Sequence, residues 1–413
     1  MATDNNKTVI IGAGAAGLMA ANVLASQGRE VILLEKKHQP GLKLRITGKG
    51  RCNITNTAQR EEYFKHISNA KFFAPAFDNF SNEDLIRFFE NRHLPLSSER
   101  GGRIYPQSNK ALDVFLTLLE PLESNPLVDI RKKCVAEHLV VRNGKIEGVD
   151  TNLGRIVCKN VIIATGGCTY PSTGSEGDGY DLAEEVGHTI VEPLPALVGL
   201  RTRDGYPRQL QNFEVKNCEI LLTGKEHKIL WRMFGDIYLD EYGVSGPVIL
   251  TLSRDIAEQL DRGERFFITI DYKPKVSKEK LLEEIKQVFS QRRTEEVYSV
   301  LRKWFAKPMV EAVVKVCRLN GRTMAKNLTD KEFNSLLWYM KERKMEIIGD
   351  MGWKEAIITK GGISLKEIDP NTLRSKKVKG LSFCGEVIDL DADTGGYNLQ
   401  IAFSTAVLAA QNI

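Results

Sequence analysis

The apolar positions at the start of the chain fall into two short continuous runs with a longer periodic one between them. Thr8-Val9-Ile10-Ile11 is wholly β-branched and unbroken by charge, which predicts a buried parallel strand. Leu18 to Ser26 carries apolar residues at helical spacing and is ended by Gly28, while Glu30 to Leu34 forms a second strand-like run closed by Glu35. Between the first strand and the helix stands Gly12-Ala13-Gly14-Ala15-Ala16-Gly17. Strand, glycines, helix, strand and terminal acid in that order predict a dinucleotide site. Gly12 permits the tight turn, Gly14 lets the backbone approach a pyrophosphate, and Gly17 lets helix and strand pack closely. The free N–H groups and positive end of the helix hold phosphate, and Glu35 accepts from a ribose hydroxyl. A glycine-rich turn that only packed the helix would leave Glu35 without a task.

Further along, Ser81 to His93 reads as a helix capped by Ser81, with Asp84 at its third position, and Lys110 to Leu122 as another. Gly101 to Pro106 between them reads as a loop. Val128 to Val161 alternates in period two around a hairpin turn at Asn143-Gly144, ending in the buried strand before Ala164-Thr165-Gly166-Gly167. Tyr170 to Gly179 reads as a loop in which Asp178 caps a helix from Gly179 to Val186. From about Pro193 the character changes. Val215 to Leu222, Lys228 to Met233 and Phe266 to Asp271 read as strands, Gly243 to Pro247 leads into a helix ending near Leu260, and Lys275 to Lys344 is helical in pattern. Strand-like patterning resumes at Ala356. Gly380 to Glu386 is then a short buried strand ending in Gly-Glu, and Gly395-Gly396-Tyr397-Asn398 opens an Ala-rich helix to Ala410. This repeats the logic of the N-terminus. Glu386 suits a ribityl hydroxyl, and the helix start suits the negative charge of a reduced flavin.

Length and composition narrow this picture without redirecting it. At 413 residues, two or three structural units are expected. With 42% apolar and 27% charged residues the composition is that of a globular protein, and no apolar run approaches the ~20 residues of a membrane span. The opening MATDNNK lacks the layout of a secretory signal, and the 7 scattered cysteines form no C-x-x-C pair. A cytoplasmic location with reduced thiols, no zinc site and no dithiol centre is therefore expected. The net charge of +5 is mild, but 275–344 alone holds 17 Lys/Arg against 9 Asp/Glu, an excess of 8. Charge of that density suits phosphate tracking, and a solvated helical face is the plain alternative.

Gly41 to Asn56 supplies the next candidate chemistry. Lys43, Arg45, Lys49 and Arg51, interspersed with Gly48 and Gly50, read as a loop placed to wrap a phosphate or a flavin edge. Cys52, Tyr170 and Tyr397 each lie in a glycine-rich stretch and are the candidates for a proton donor, against purely structural roles in the same stretches. Arg51 and Arg103 are candidates for an anionic or carbonyl-bearing substrate, against surface ion pairing.

These motifs together resemble the bacterial YhiN/BaiN-like flavoproteins, also called aminoacetone oxidase-like or BaiN/RdsA-like FAD enzymes. The resemblance rests on GAGAAG at 12–17, TGKGRCNITN at 47–56, GGRIYP at 101–106, ATGGCTYPSTGSEGDGY at 164–180, GVSGP at 243–247, TKGGIS at 359–364 and GEVIDLDADTGGYNLQIA at 385–402. It implies an α/β fold, a doubly wound Rossmann-type FAD domain interrupted by a β-barrel-like and helical insertion. The corresponding segments are 1–193 and 355–413 for the FAD domain and 194–354 for the insertion, whose basic helical part spans about 275–344. Implied cofactor contacts are Gly12, Gly14, Ala15, Ala16, Gly17, Glu35 and Lys36 at the adenosine and pyrophosphate end. Lys43, Gly48, Gly50, Arg51, Cys52, Asn53 and Val135 follow, then Ala164, Thr165 and Gly166. Gly385, Glu386, Asp389, Gly395, Gly396, Tyr397 and Asn398 complete the set.

The expected cofactor is non-covalent FAD. No second G-x-G-x-x-G follows a strand, so NAD(P)H is expected only as a transient electron donor. Three functions are open: reduction of an activated C=C bond in an enone or an RNA uridine, amine oxidation by O2, and a non-catalytic FAD-binding role. Oligomeric state is not legible in the sequence.

Overall fold

The structure, a computed structural model, describes residues 7–226 and 228–413, so the N-terminal reading of residues 1–6 falls outside it. The chain divides into two compact units, one comprising Met1–Ala196 with Trp353–Ile413, the other Leu197–Gly352.

The first unit is built on a five-stranded parallel sheet. Its strands are β1 (Thr8–Ile11), β2 (Val31–Glu35), β3 (Val128–Lys132), β4 (Asn160–Ile163) and β5 (Leu381–Phe383), in spatial order β5-β4-β1-β2-β3. β1 is central and fully buried, as an uninterrupted β-branched run requires. α1 (Ala15–Ser26) starts three residues earlier than its apolar pattern, because Ala15, Ala16 and Gly17 are already helical. Gly28, at φ 72°, ends it in the left-handed conformation that glycine adopts without strain. The last helix, α4 (Tyr397–Gln411), is buried nearly all round and packs against α1. Its polar positions are therefore paired: Gln400 Nε2 and Ser404 Oγ both donate to the Phe80 carbonyl, at 3.2 and 2.7 Å.

The alternating segment forms a meander of Ala136–Arg142, Lys145–Thr151 and Gly154–Val157, whose first turn carries Asn143 and Gly144 at φ 51° and 70°. Ile190–Ala196 pairs antiparallel with Ile358–Ile363. Two expected loops contain regular structure. Residues 41–56 include α2 (Leu42–Gly50), helical until Thr47, Gly48 and Lys49 leave helical conformation. Gly41, at φ 67°, starts it; a Cβ there would stand 2.3 Å from the Phe115 ring. The stretch 101–106 contains a strand, Arg103–Pro106, lying between Thr55–Asn56 and Leu96–Glu99. Next to Thr55–Asn56 in sequence is a short helix, α3 (Arg60–Lys65).

The second unit is a closed six-stranded barrel with helices. Leu200–Thr202, Gly243–Ser245, Ile229–Asp240, Phe213–Thr223, Phe266–Asp271 and Lys344–Asp350 follow one another round it. Lys278–Gln291, Val297–Leu301, Lys307–Val316 and Asp330–Lys341 are the helices of the basic segment, and they share one apolar core with the barrel. Among the described residues no helix is long and apolar enough to cross a membrane, and no cluster of His, Cys, Asp or Glu is grouped to hold a metal ion.

Candidate functional site

Three groups of residues gather in the first unit, two of them just beyond the carboxyl ends of its sheet strands. At the first, β1 runs into Gly12, whose φ of 101° is open to glycine alone. A Cβ on Gly12 would lie 2.6 Å from the Ala164 carbonyl oxygen, and one on Gly17 only 1.8 Å from the Gly12 carbonyl oxygen. Both glycines are required by packing between β1, β4 and α1. Gly14 differs: the position of its missing Cβ faces open space, as close approach of a pyrophosphate demands. No side chain caps α1, so the first N–H groups of the helix, at Ala15, Ala16 and Gly17, are left for a ligand. Glu35, buried at the end of β2, accepts from the Lys37 N–H at 2.8 Å. Burial raises its pKa despite that bond, one from Ala13 and the charges of Lys36 and Lys37. Val135 is half-buried beyond β3, and its N–H is taken by Asn152 Oδ1 at 2.8 Å.

The second group is a polar knot. Lys43 of α2 donates to Glu386 and Thr169, both at 2.6 Å, and Glu386 also accepts from the Thr359 N–H at 2.8 Å. Thr359 in turn accepts from the Cys168 N–H at 2.8 Å. Three separated segments, through Lys43, Thr169 and Thr359, thus meet on the carboxylate of Glu386. Thr169 and Thr359 were not among the expected site residues, although both lie in quoted motifs. Nearby, Gly166 is left-handed at φ 78°, and Asp389 is held through its backbone, its N–H donating to the Ile363 carbonyl at 3.1 Å.

The third group lies at the start of α4. No side chain caps this helix either. Gly396 is pressed against Thr55, whose carbonyl oxygen would be 2.3 Å from a Cβ there, and Asn56 Nδ2 donates to the Gly395 carbonyl at 3.2 Å. Thr55 Oγ1 donates to Gln400 Oε1 at 2.7 Å, which ties the 47–56 motif to the helix. Tyr397 is buried; its ring stacks on His66 at 4.4 Å between centroids and meets Tyr63 edge-on. Burial, with Asp393 and Glu62 nearby, pushes its phenol up to about 12. His66 Nδ1 lies 2.8 Å from an Asp393 carboxylate oxygen. Neither His66 nor Asp393 was expected from the sequence. They are 327 positions apart, and no local pattern marks the histidine.

Several expected side chains are committed elsewhere. Cys52 is wholly buried at φ 60°, and burial pushes its thiol up to about 12. Lys36 is bridged to Glu176 and Asp178, which closes the 174–178 turn over the end of β2. Asp178 therefore does not cap its helix; Gly177 stands at that position. Arg51 bonds Glu99 and Asn109 and lies 4.3 Å over the Tyr105 ring, holding the small sheet. Arg103 donates to the Arg100 carbonyl. The Asn398 amide closes its own loop on Ala392 and Asp393. Tyr170 is half-exposed at φ 54°, its phenol raised by burial first and Glu355 second.

The residues present fit FAD. Beyond the open face at Gly14 and the two uncapped helix starts, the buried Asn53 Oδ1 and Thr165 Oγ1 have no partner among the described residues. Asn53 follows the left-handed turn at Gly48 and Gly50, and Thr165 follows Ala164 at the end of β4.

Comparison with known proteins agrees with this geometry. Residues 6–412 match the family described as HI0933-like protein Rossmann domain. The chain belongs to this family. It is 29% identical to a 3-dehydro-bile acid delta(4,6)-reductase of Clostridium scindens over 98% of each chain. It is 26% identical to a ribosomal RNA dihydrouridine synthase of Escherichia coli, over 98% of this chain and 97% of the relative. Among solved structures, a quinol-fumarate reductase with menaquinol superposes with a TM-score of 0.51 at 15% identity, over all of this chain and 71% of the other. The protein is an oxidoreductase-class flavoprotein, with a Rossmann-type FAD-binding domain and a barrel-and-helix insertion.

Proposed function

We propose that this family member takes electrons from NAD(P)H and uses them to saturate a C=C bond conjugated to a carbonyl. The observation that carries the reading is the uncapped start of α4, where the 47–56, 101–106 and 395–400 motifs are fastened to one another. A helix start fixed by so many loops is a preorganised positive pole, suited to stabilise charge on a reduced ring or on a substrate enolate. Bound FAD supplies hydride chemistry; the chain supplies binding, orientation and protons. Gly14 and the α1 N-terminus would hold the pyrophosphate, Glu35 the adenosine ribose, and the Lys43–Glu386 pair the ribityl side. A delta(4,6)-reductase and a dihydrouridine synthase share that one step, and both relatives match nearly end to end.

The uridine form of the reading is favoured by one further observation, the excess of 8 positive charges in 275–344. A uridine base would have to be unstacked to be reduced, which suits single-stranded or loop RNA. Anaerobic stopped-flow of the FAD-loaded protein is the test. Rapid bleaching of the flavin by NADH or NADPH, and its return on adding cyclohex-2-enone, is expected. Bleaching by an amine instead would replace the reading with an oxidase, and no bleaching by either would leave a binding protein. Mapping dihydrouridine in ribosomal RNA with and without the gene separates the RNA substrate from a small enone.

A further inference from the structure

The reduction read above needs one proton for every hydride, and the three side chains that the motifs offered for it do not include the best-placed acid. Cys52 is buried, Tyr397 is buried beneath His66, and Tyr170 lies in a different loop. His66 is a different case. The segment around it is strapped to the approach of α4: Ile67 bridges Ala392, Ser68 N–H donates to the Asp391 carbonyl, and Asp393 N–H donates to the His66 carbonyl. One ring face is fixed against Tyr397, the first residue of α4, at an interplanar angle of 20°. Nδ1 is held by Asp393 at 2.8 Å. Among the described residues Nε2 has no hydrogen-bond partner, and a Glu62 carboxylate oxygen lies 3.8 Å away. The side chain is 31% exposed, so Nε2 can meet a substrate and exchange protons with water.

We propose that His66 is the acid of the reduction and that Asp393 is its positioning residue. The proposal rests on the C=C reading of function. Hydride from the reduced cofactor forms one C–H bond while the π pair moves to the neighbouring carbon. The doubly protonated ring of His66 gives its Nε2 proton to the second C–H bond and is left neutral, with its remaining proton on Nδ1 toward Asp393. The substrate gains two electrons, the cofactor loses them to be reduced again by NAD(P)H, and water returns the proton to the imidazole. The arrangement supplies what a general acid needs: a ring fixed in orientation, one nitrogen committed to a carboxylate and the other turned out. The charged and titratable groups around it are Glu62 and its ion-pair partner Lys65 on α3, Asp393 before α4, and Tyr397 on α4. A purely structural dyad would only pin 66–69 to 389–393.

The test has two arms. In the chain without cofactor, nitrogen NMR of the histidine rings is expected to show neutral His66 with its proton on Nδ1, because Asp393 accepts there. Asp393→Asn should lose that fixed preference. A neutral ring protonated on Nε2 in the wild type overturns the proposal without any turnover being measured. In the FAD-loaded protein, His66→Gln should cut the ratio of flavin reoxidation by cyclohex-2-enone to flavin reduction by NAD(P)H about 100-fold, the scale of general acid catalysis. It should also remove one limb of the pH profile of reoxidation, with FAD affinity within about twofold of wild type, since a glutamine keeps the local bulk. If the wild type is reoxidised and His66→Gln matches it at every pH, the proposal fails alone. If the wild type is not reoxidised at all, the reading of function fails and takes the proposal with it.

Discussion

Glu35 shows how a single side chain can cost the fold something and still be kept. Its carboxylate sits at the end of a buried strand, and burial raises its pKa above the ordinary value. An acid whose folded pKa is raised binds its proton more tightly in the fold than in the unfolded chain. Its contribution to stability is therefore greatest at low pH and is lost as pH rises through the folded value. At neutral pH the ionised Glu35 opposes folding of the empty chain. Glu35→Gln, which keeps the shape and the acceptor for Lys37 N–H, should make the empty protein more resistant to urea at pH 8, with the difference vanishing at acid pH. The same change should weaken FAD about tenfold, as a charge-assisted bond to ribose becomes a neutral one, and Glu35→Ala should weaken it more. Equal urea midpoints at pH 8, or unchanged FAD affinity, would refute the respective half. The place of Glu35 at the end of β2 was readable because its distance from the glycines is set by one helix and one strand. His66 was unreadable for the opposite reason: its partners Asp393 and Tyr397 are brought to it by tertiary packing.

Elements were legible where their signals were local. The Ser81–Asp84 capping box is present as the residue types required, and β1 has the bounds its β-branched run implied. Misreadings came where glycines and charges hid a pattern. Residues 42–46 are helical although only Leu44 of α2 is buried, since the helix is positioned by its packing on the helix Ala111–Glu123. Arg103–Pro106 is a strand because neighbours on both sides pair with it, which the preceding Gly101-Gly102 obscured. At this scale the most consequential hydrogen bond joins α4 to the turn after β5. Thr405 Oγ1 accepts from the Gly385 N–H at 2.9 Å, with both groups buried. Thr405→Val keeps the volume and removes the acceptor, leaving that N–H unsatisfied at a cost of about 1–3 kcal/mol. Chemical denaturation should report a loss in this range, and a change below about 0.5 kcal/mol would show that the turn relaxes to another acceptor.

The whole molecule joins a nucleotide-binding sheet to a barrel-and-helix unit of contrasting charge, and the meaning of that contrast can be measured. Several basic residues of the helical segment are absorbed in ion pairs, among them Lys278 with Glu342, Lys286 with Asp330 and Lys303 with Glu284. Arg302, Lys315 and Arg318 are exposed on or beside the helices Val297–Leu301 and Lys307–Val316. If the unit tracks RNA phosphates, replacing all three by glutamate should lower affinity for a ribosomal RNA fragment. It should also flatten the dependence of log K on log salt by roughly 0.7 for each phosphate that is no longer neutralised. Reduction of cyclohex-2-enone by the same variant should stay at the wild-type rate, because a small neutral substrate needs no such surface. A parallel fall in enone reduction would point to a folding defect instead, which a urea midpoint would reveal. If RNA binding, its salt slope and enone reduction all match the wild type, these charges serve only to keep the helices solvated, and the small-molecule form of the function gains accordingly.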